Sequence, residues 1–353
     1  MSKKILSHTF LILSVTMLLL SSCDKRDQNI NFPPGIQENV SQIAVKQGLT
    51  IFAAALKLAK MDTAFSYLGQ YTILAPTDAA FNAAGITNAT LGSIPEATLR
   101  TILRNHILPG RTTSFSFLPG PNAALVNINR DFVYSSTYLS STPGVGAFTG
   151  VYFNGIKIVN VDFLANNGVI HTINGVLLPP PGNLSVTLAL NPNLSFLRAA
   201  ISTAGLTLRL DTNRSPITLL APDNAAFIAA GFPTIASINA ASPTTLSAIL
   251  TLHVIPAASI PIPLGNGRLF TPDFRAGNYA SLNGNVITTV TGSTIAFRGT
   301  SSTADATIIT PNLLFRSLVP NPSTTPPPPP PTPPGTALGS PSVMHIINRV
   351  LLP

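Results

Sequence analysis

Apolar residues first recur at helical spacing. Leu49, Phe52 and Leu56 fall at i, i+3 and i+7, the stripe of an amphipathic helix. The same stripe returns at Leu194, Leu197 and Ile201. A second helical set, Leu99, Ile102, Leu103 and His106, reappears as Leu246, Ile249, Leu250 and His253. Each histidine therefore shares a helix face with three aliphatic residues. Further along, the pattern turns to short β-rich pieces, Val151-Tyr152-Phe153 and Ile156-Lys157-Ile158-Val159. Asn154-Gly155 between them predicts a tight hairpin, because both residues tolerate the positive φ of a primed turn. Helices first and strands later, segregated rather than alternating, predict an α+β fold.

These elements come twice. Thr72-Ile73-Leu74-Ala75-Pro76-Thr77-Asp78-Ala79-Ala80-Phe81 returns as Thr218-Leu219-Leu220-Ala221-Pro222-Asp223-Asn224-Ala225-Ala226-Phe227, identical at seven of ten positions 146 residues later. In this block a β-rich run ends at proline and a helix is predicted to begin. Thr77 or Asp78 can cap its free N–H groups, as Asp223 or Asn224 can in the second copy. Both copies close alike, His171-Thr172-Ile173-Asn174-Gly175-Val176-Leu177-Leu178-Pro179 against His345-Ile346-Ile347-Asn348-Arg349-Val350-Leu351-Leu352-Pro353. The helical histidines His106 and His253 lie 147 apart and the closing pair 174 apart, so the second copy gains 27 residues between them. The expected source is Val319 to Pro341, with eleven prolines, six of them consecutive from Pro326 to Pro331. Consecutive prolines donate no backbone hydrogen bonds, so this stretch reads as a surface loop outside the sheet.

The first residues read as a processing signal. Lys3 and Lys4 precede an apolar run from Phe10 to Leu20, then Leu20-Ser21-Ser22-Cys23. A basic head, a short apolar run and small residues at the cut define a secretory signal; the run falls short of the about 20 apolar residues of a membrane span. Leu-Ser-Ser-Cys also looks like a bacterial lipobox, which makes Cys23 the expected lipidation site. The expected divisions are a signal peptide over 1–22, a tether over 23–35, domain 1 over 36–180 and domain 2 over 183–353, with the proline-rich loop at 319–341. Pro179-Pro180-Pro181-Gly182 between the domains reads as a stiff linker.

Composition narrows the chemistry. Cys23 is the one cysteine, so lipidation leaves no thiol for disulfides, metal or nucleophilic catalysis. Only 9% of residues are charged, and the arginines are scattered. No clustered basic stripe of the kind that binds nucleic acid is present. Past the signal the histidines are His106, His171, His253 and His345. Two per copy fall short of the three ligands of a catalytic zinc, and each shares an apolar face. All four are expected to be buried, hydrogen-bonded structural groups, with no metal and no cofactor. No paired carboxylates recur outside the helix-start block, and no Gly-x-Ser-x-Gly elbow occurs. The expectation is a protein that is not an enzyme.

The helix-start block, then Leu-x-x-Ile-Leu-x-x-His, then Gly168-Val169-Ile170-His171-x-Ile-x-x-Val-Leu-Leu-Pro, together resemble the fasciclin-like domain. The second copy departs from the pattern, lacking the glycine before Val343-Met344-His345 and carrying the proline insertion. The resemblance implies two tandem domains, each a β-sheet wedge flanked by helices. It also implies extracellular adhesion and matrix proteins, with secreted and lipid-anchored members in bacteria. Asn160-Val161-Asp162-Phe163-Leu164 is similar to the Asn-Lys-Asp-Ile-Leu attachment segment of some animal members, with Val161 for lysine and Phe163 for isoleucine. That makes Asp162, Phe163 and Leu164 candidate binding residues; Thr310-Pro311-Asn312-Leu313-Leu314 in the second copy loses the carboxylate. The family's Tyr-His element is half kept, as Asn105-His106 and Leu252-His253.

The reading is thus a non-catalytic adhesion or matrix-binding lipoprotein, exported and lipid-anchored at the bacterial envelope, at the outer membrane or cell surface. Its partner is an extracellular protein or glycan. The alternative is a binder of a small apolar ligand such as a carotenoid, which some fasciclin-like proteins bind. Oligomeric state and partner identity stay open.

Overall fold

The computed structural model describes residues 37–62, 69–139, 148–213, 215–260, 267–317 and 341–353. Cys23 and the proline-rich stretch up to Ser340 lie outside them. Both sequence copies belong to one compact unit, residues 38–353.

Domain 1 runs α1 (Val40–Lys46), α2 (Thr50–Leu58), β1 (Tyr71–Pro76), α3 (Asp78–Ala83), α4 (Glu96–Asn105), β2 (Ile107–Pro109), β3 (Gly120–Val126), β4 (Phe132–Tyr138), β5 (Gly150–Phe153), β6 (Ile156–Ala165) and β7 (Gly168–Ile173). Its sheet has seven strands in the order β2-β1-β7-β6-β5-β4-β3. Domain 2 repeats the plan with α5 (Leu184–Ala189), α6 (Ser195–Thr203), α7 (Thr207–Asp211), β8 (Ile217–Pro222), α8 (Asn224–Ala229), α9 (Ile235–Asn239), α10 (Pro243–Leu252), β9 (Val254–Pro256), β10 (Gly277–Ser281), β11 (Gly284–Thr291), β12 (Thr294–Arg298), β13 (Ala306–Phe315) and β14 (Ser342–Ile347). Its order is β10-β11-β12-β13-β14-β8-β9. In each sheet the closing strand lies parallel to the strand of the helix-start block, with Leu74 beside His171 and Leu220 beside His345. That parallel pair ties each copy's last block to an early one.

The helix-start block works harder than its sequence suggests. Thr77 caps α3 by accepting from Ala80 N at 3.1 Å. Asp78 instead accepts from Ile51 N at 3.0 Å and from the Thr50 hydroxyl, capping α2, whose own N-cap residue Leu49 has no side-chain acceptor. Domain 2 divides the work the same way. Asp223 caps α8 through Ala226 N, and Asn224 accepts from Phe196 N to cap α6. Two adjacent short polar residues therefore fasten two helices to one strand end, each cap contributing about 0.5–2 kcal/mol. Phe81 and Phe227 then bury completely in the helix-side cores.

Asn154 and Gly155 adopt φ of 48° and 78°, the primed turn between β5 and β6. A helix-side core in each domain, containing Phe52 or Leu197, is matched by a second core inside the sheet wedge around Phe153 or Phe297. The 27 residues gained by domain 2 are not all in one place. The copy offset is 157 at Arg111/Arg268, 150 at Asp162/Asn312 and 174 at His171/His345. The segment after Asn312, which holds the proline-rich stretch, adds 24 of them.

Candidate functional site

Four buried histidines frame the two domains, and each uses both ring nitrogens. At His106, Nδ1 lies 2.8 Å from the Ile102 carbonyl while Nε2 accepts from Leu177 N at 2.8 Å. A carbonyl only accepts, so the proton sits on Nδ1. His253 repeats this between Ile249 O and Leu351 N. His171 and His345 carry the opposite tautomer: Nε2 donates to Thr112 O or Leu269 O, and Nδ1 accepts from Asp162 N or Asn312 N. Burial drives the imidazoles of His106, His253 and His345 down to about 4. His171 is also lowered by burial, against the Thr112 carbonyl and the Asp162 carboxylate 3.9 Å away. These are neutral cross-links between backbone segments distant in sequence, with no ring nitrogen left for a metal. Among the described residues no group of three or more His, Cys, Asp or Glu could hold an ion.

The two cross-links at His171 and His345 each sit under a kink. Strand β6 shifts register between Asn160 and Phe163, and β13 between Thr310 and Leu313. The residues at the bulges, Asp162 and Asn312, hold φ of 61° and 59°, where a short polar side chain is tolerated. In domain 1 the Asp162 carboxylate accepts from Ser114 N at 2.9 Å and from Ser114 Oγ at 2.5 Å. It thereby fixes the turn Ser114–Ser116, and Phe117 just beyond packs edge-on to His171 at 5.5 Å. Asn312 does the same in domain 2: it accepts from Thr271 N at 2.8 Å, and Phe274 packs on His345 at 5.3 Å. In domain 1 the turn and the bulge present Phe115, 96% exposed, Leu118, 71% exposed, and exposed Val161 to solvent.

In domain 2 the corresponding turn is buried against domain 1. Strand β4 is covered on both faces. Val133 enters the domain 1 wedge, while Tyr134 joins Phe270, Leu314 and Val343 of domain 2 in a separate cluster. The Arg268 guanidinium lies 4.0 Å over the Tyr134 ring, with Nε donating to Pro341 O at 2.9 Å. Tyr138 donates to Asp273 Oδ1 at 2.6 Å, and Arg275 lies over the Tyr138 ring. The Asn122 amide donates to Arg268 O, and Arg316 pairs with Asp131. A Cβ at Gly155 would come 2.3 Å from the Asn312 amide, so the hairpin tip also needs glycine for clearance. Burial raises the Asp273 carboxyl to about 6, against its hydrogen bonds from Tyr138, Phe270 N and Ser136.

Of the candidate binding residues, Asp162 has its carboxylate engaged by Ser114, and Phe163 is half-buried against the helix-side core. Leu164 is half-buried beside them. Three neighbours face solvent: Val161, which stands within that segment in place of lysine, and Phe115 and Leu118, which carry no motif and were not singled out by sequence. Their signal was two large apolar residues in a short segment rich in serine, threonine and proline. Elsewhere, a cavity of about 420 Å³ opens between the helices of domain 2, lined by Leu184, Leu188, Ala199, Ile201 and Ile235 and by seven polar or charged residues, among them Arg198 and Asp211. Among the described residues no helix is long and apolar enough to cross a membrane.

The fasciclin domain family model matches residues 47–179 and 192–319, about three quarters of the chain. Among curated proteins, transforming growth factor-beta-induced protein ig-h3 of Sus scrofa is 32% identical over 54% of this chain and 27% of its own length. Protein sll1483 of Synechocystis is 31% identical over 40% of this chain and 79% of its length. Human periostin is 29% identical over 52% of this chain and 21% of its length. The chain thus spans about a quarter of ig-h3 and less of periostin. Among solved structures, a FAS1 domain pair from the insect cell adhesion molecule fasciclin I aligns over 88% of this chain and 97% of that one, at 15% identity and a TM-score of 0.35.

Proposed function

This chain belongs to the fasciclin domain family, in two tandem copies, and on that premise we propose a non-catalytic adhesion or matrix-binding lipoprotein. It is held at the bacterial envelope by lipid on Cys23 and recognises an extracellular protein or glycan. The observation that carries the reading is the open apolar surface of domain 1, Phe115, Leu118 and Val161 around the Asp162 bulge. Exposed apolar groups gathered on a rigid support mark interaction sites. The support is rigid here because the Asp162–Ser114 contacts and His171 fix both backbone segments. Asp162, Phe163 and Leu164 shape this surface, and contact is made by the residues next to them. The four histidines serve stability, and no group in the site is arranged for turnover. Two domains on one anchor favour attachment through many weak contacts at once.

The test is attachment of cells displaying the chain to immobilised envelope protein and polysaccharide fractions. The double variant Phe115→Ala, Leu118→Ala should lose attachment by about tenfold or more at unchanged melting temperature. Cys23→Ala should leave the membrane fraction and abolish attachment. Attachment unchanged in the double variant overturns this surface as the site.

A further inference from the structure

The cavity in domain 2 opens between four helices, α5, α6, α7 and α9. Helix α6 gives it one whole face, Ser195, Arg198, Ala199 and Ser202, spaced i, i+3, i+4 and i+7. Three short side chains on that face leave room that longer ones would fill. The resulting space of about 420 Å³ lies within the range of small-molecule sites. Leu184 and Leu188 of α5 and Ile235 of α9 supply its apolar wall.

Two opposite charges line this space, and neither is neutralised. Asp211, 6% exposed at the end of α7, accepts from Ser185 N at 3.0 Å and from Ser185 Oγ at 2.5 Å. Those contacts fix its carboxylate without supplying positive charge, and each oxygen keeps a free lone pair. Among the described residues Asp211 forms no ion pair, although a buried charge is ordinarily paired. The other acids buried in domain contacts differ: Asp131 pairs with Arg316, and Asp273 feels the charge of Arg275. Arg198, exposed on α6, forms no ion pair either, so the two charges share a cavity without meeting.

The duplicated fold supplies a control. The matching helix face in domain 1 reads Thr50, Ala53, Ala54 and Lys57, so Arg198 stands where domain 1 has buried Ala53. Leu91 and Ile238 are equivalent core residues 147 apart, as are Leu99 and Leu246. Helix α9 therefore stands where domain 1 has only the short turn Leu91–Ser93. The cation and the α9 wall are features of domain 2 that the shared fold does not require.

We infer that this cavity binds a small zwitterion with an apolar body, an apolar α-amino acid or dipeptide. Its ammonium group sits against the buried Asp211 carboxylate, and its carboxylate pairs with Arg198 on the open side. Its side chains cover Leu184, Leu188 and Ile235. A zwitterion answers both charges at once, through charge-assisted hydrogen bonds. The site is separate from the domain 1 surface that carries attachment.

Calorimetric titration of the full-length chain, in detergent, with the dipeptide leucyl-leucine supplies the test. Saturable binding should appear, and should weaken about tenfold or more when the amine is acetylated or the carboxylate amidated. Glycylglycine, which has both charges and no apolar body, should bind about tenfold more weakly as well. Asp211→Asn keeps an oxygen for Ser185 and removes the charge, so it should bind free and acetylated dipeptides equally weakly. Arg198→Gln, at an exposed position, should lose the preference for a free carboxylate over an amide, at unchanged melting temperature. That variant remains decisive if Asp211→Asn is too unstable to isolate. A loss that merely followed damage to the helices would weaken every probe alike and leave these preferences in place. Preferences kept in Arg198→Gln, or no binding of leucyl-leucine by the wild type up to about 10 mM, would overturn the proposal.

Discussion

The turns Ser114–Leu118 and Thr271–Arg275 occupy the same place in two copies of one fold and have opposite fates. Both are pinned by a bulge residue, Asp162 or Asn312, and both are followed or closed by a phenylalanine packed on a histidine. One leaves Phe115 and Leu118 in water; the other buries Phe270 and Asp273 completely. The frame is shared, and what differs is the chemistry mounted on it. Domain 2 places arginines at 268 and 275 and an aspartate at 273, where domain 1 has Arg111, Leu118 and Ser116. Domain 1 in turn offers Tyr134 and Tyr138 on the outer face of β4, where the domain 2 sheet offers Ile287 and Thr289. The duplicated fold supplies the position, and a handful of substitutions decides whether it becomes a joint or a free surface.

Acid should separate the two domains most strongly. The imidazoles of His253 and His345 lie near 4 in the fold, against 6.5 for a free group. Between those values the unfolded chain binds more protons than the folded one, so stability is full above 6.5 and drains as pH falls toward 4. Each of the two contributes a loss on the order of 3 kcal/mol. In domain 1, His106 behaves likewise, but the carboxylate of Asp162 works against the lowering of His171. Domain 2 should therefore open first on acidification. Hydrogen exchange resolved by segment at stepped pH checks this, and simultaneous opening of both domains would contradict it. Asp273, raised to about 6, acts with the opposite sign: its contribution grows as pH falls through 6.

The joint itself should break on one atom group. Asp273→Ala leaves the Tyr138 hydroxyl and Phe270 N without their acceptor in a buried setting and should cost about 3 kcal/mol. Ser116→Ala, the counterpart in domain 1, should stay within about 0.5 kcal/mol. Urea unfolding of both variants measures the difference; equal effects would mean that the two turns are not distinguished by burial.

Much of this was legible in the sequence, for a physical reason. Helix stripes, the Asn154-Gly155 turn and the helix-start block are local patterns, and the duplication exposes them twice. What stayed hidden depends on distant chain. Asp78 and Asn224 could be read as capping residues but not as caps for α2 and α6, since the helix each serves precedes it by more than twenty residues. Arg268 read as one more scattered arginine, because nothing near it in sequence announces Tyr134. Strand β4 did carry a signal: by period-2 spacing Phe132, Tyr134 and Tyr138 fall on one face, opposite Val133, Ser135 and Thr137. Its own domain covers the Val133 face, which leaves a face with three large aromatics to be covered by something else.

The smallest expected effect isolates the one side chain that differs between the two bulges. Asp162 and Asn312 share a positive φ and a side-chain oxygen that accepts from the backbone N–H of the turn, Ser114 or Thr271, so exchanging them keeps the geometry and moves only a charge. Asp162→Asn should leave stability at pH 7 within about 1 kcal/mol, because an amide oxygen can still accept from Ser114 N and tolerates the same backbone. Its consequence should appear at His171, 3.9 Å away. Without the carboxylate, burial acts with less opposition, and the titration of His171 should move down, toward that of His345. Asn312→Asp should move His345 up by the converse argument. The two ring protons followed by NMR against pH supply the measurement. If neither titration moves, the carboxylate at the bulge is not what separates the two histidines, and a difference in the packing of Phe117 and Phe274 takes its place.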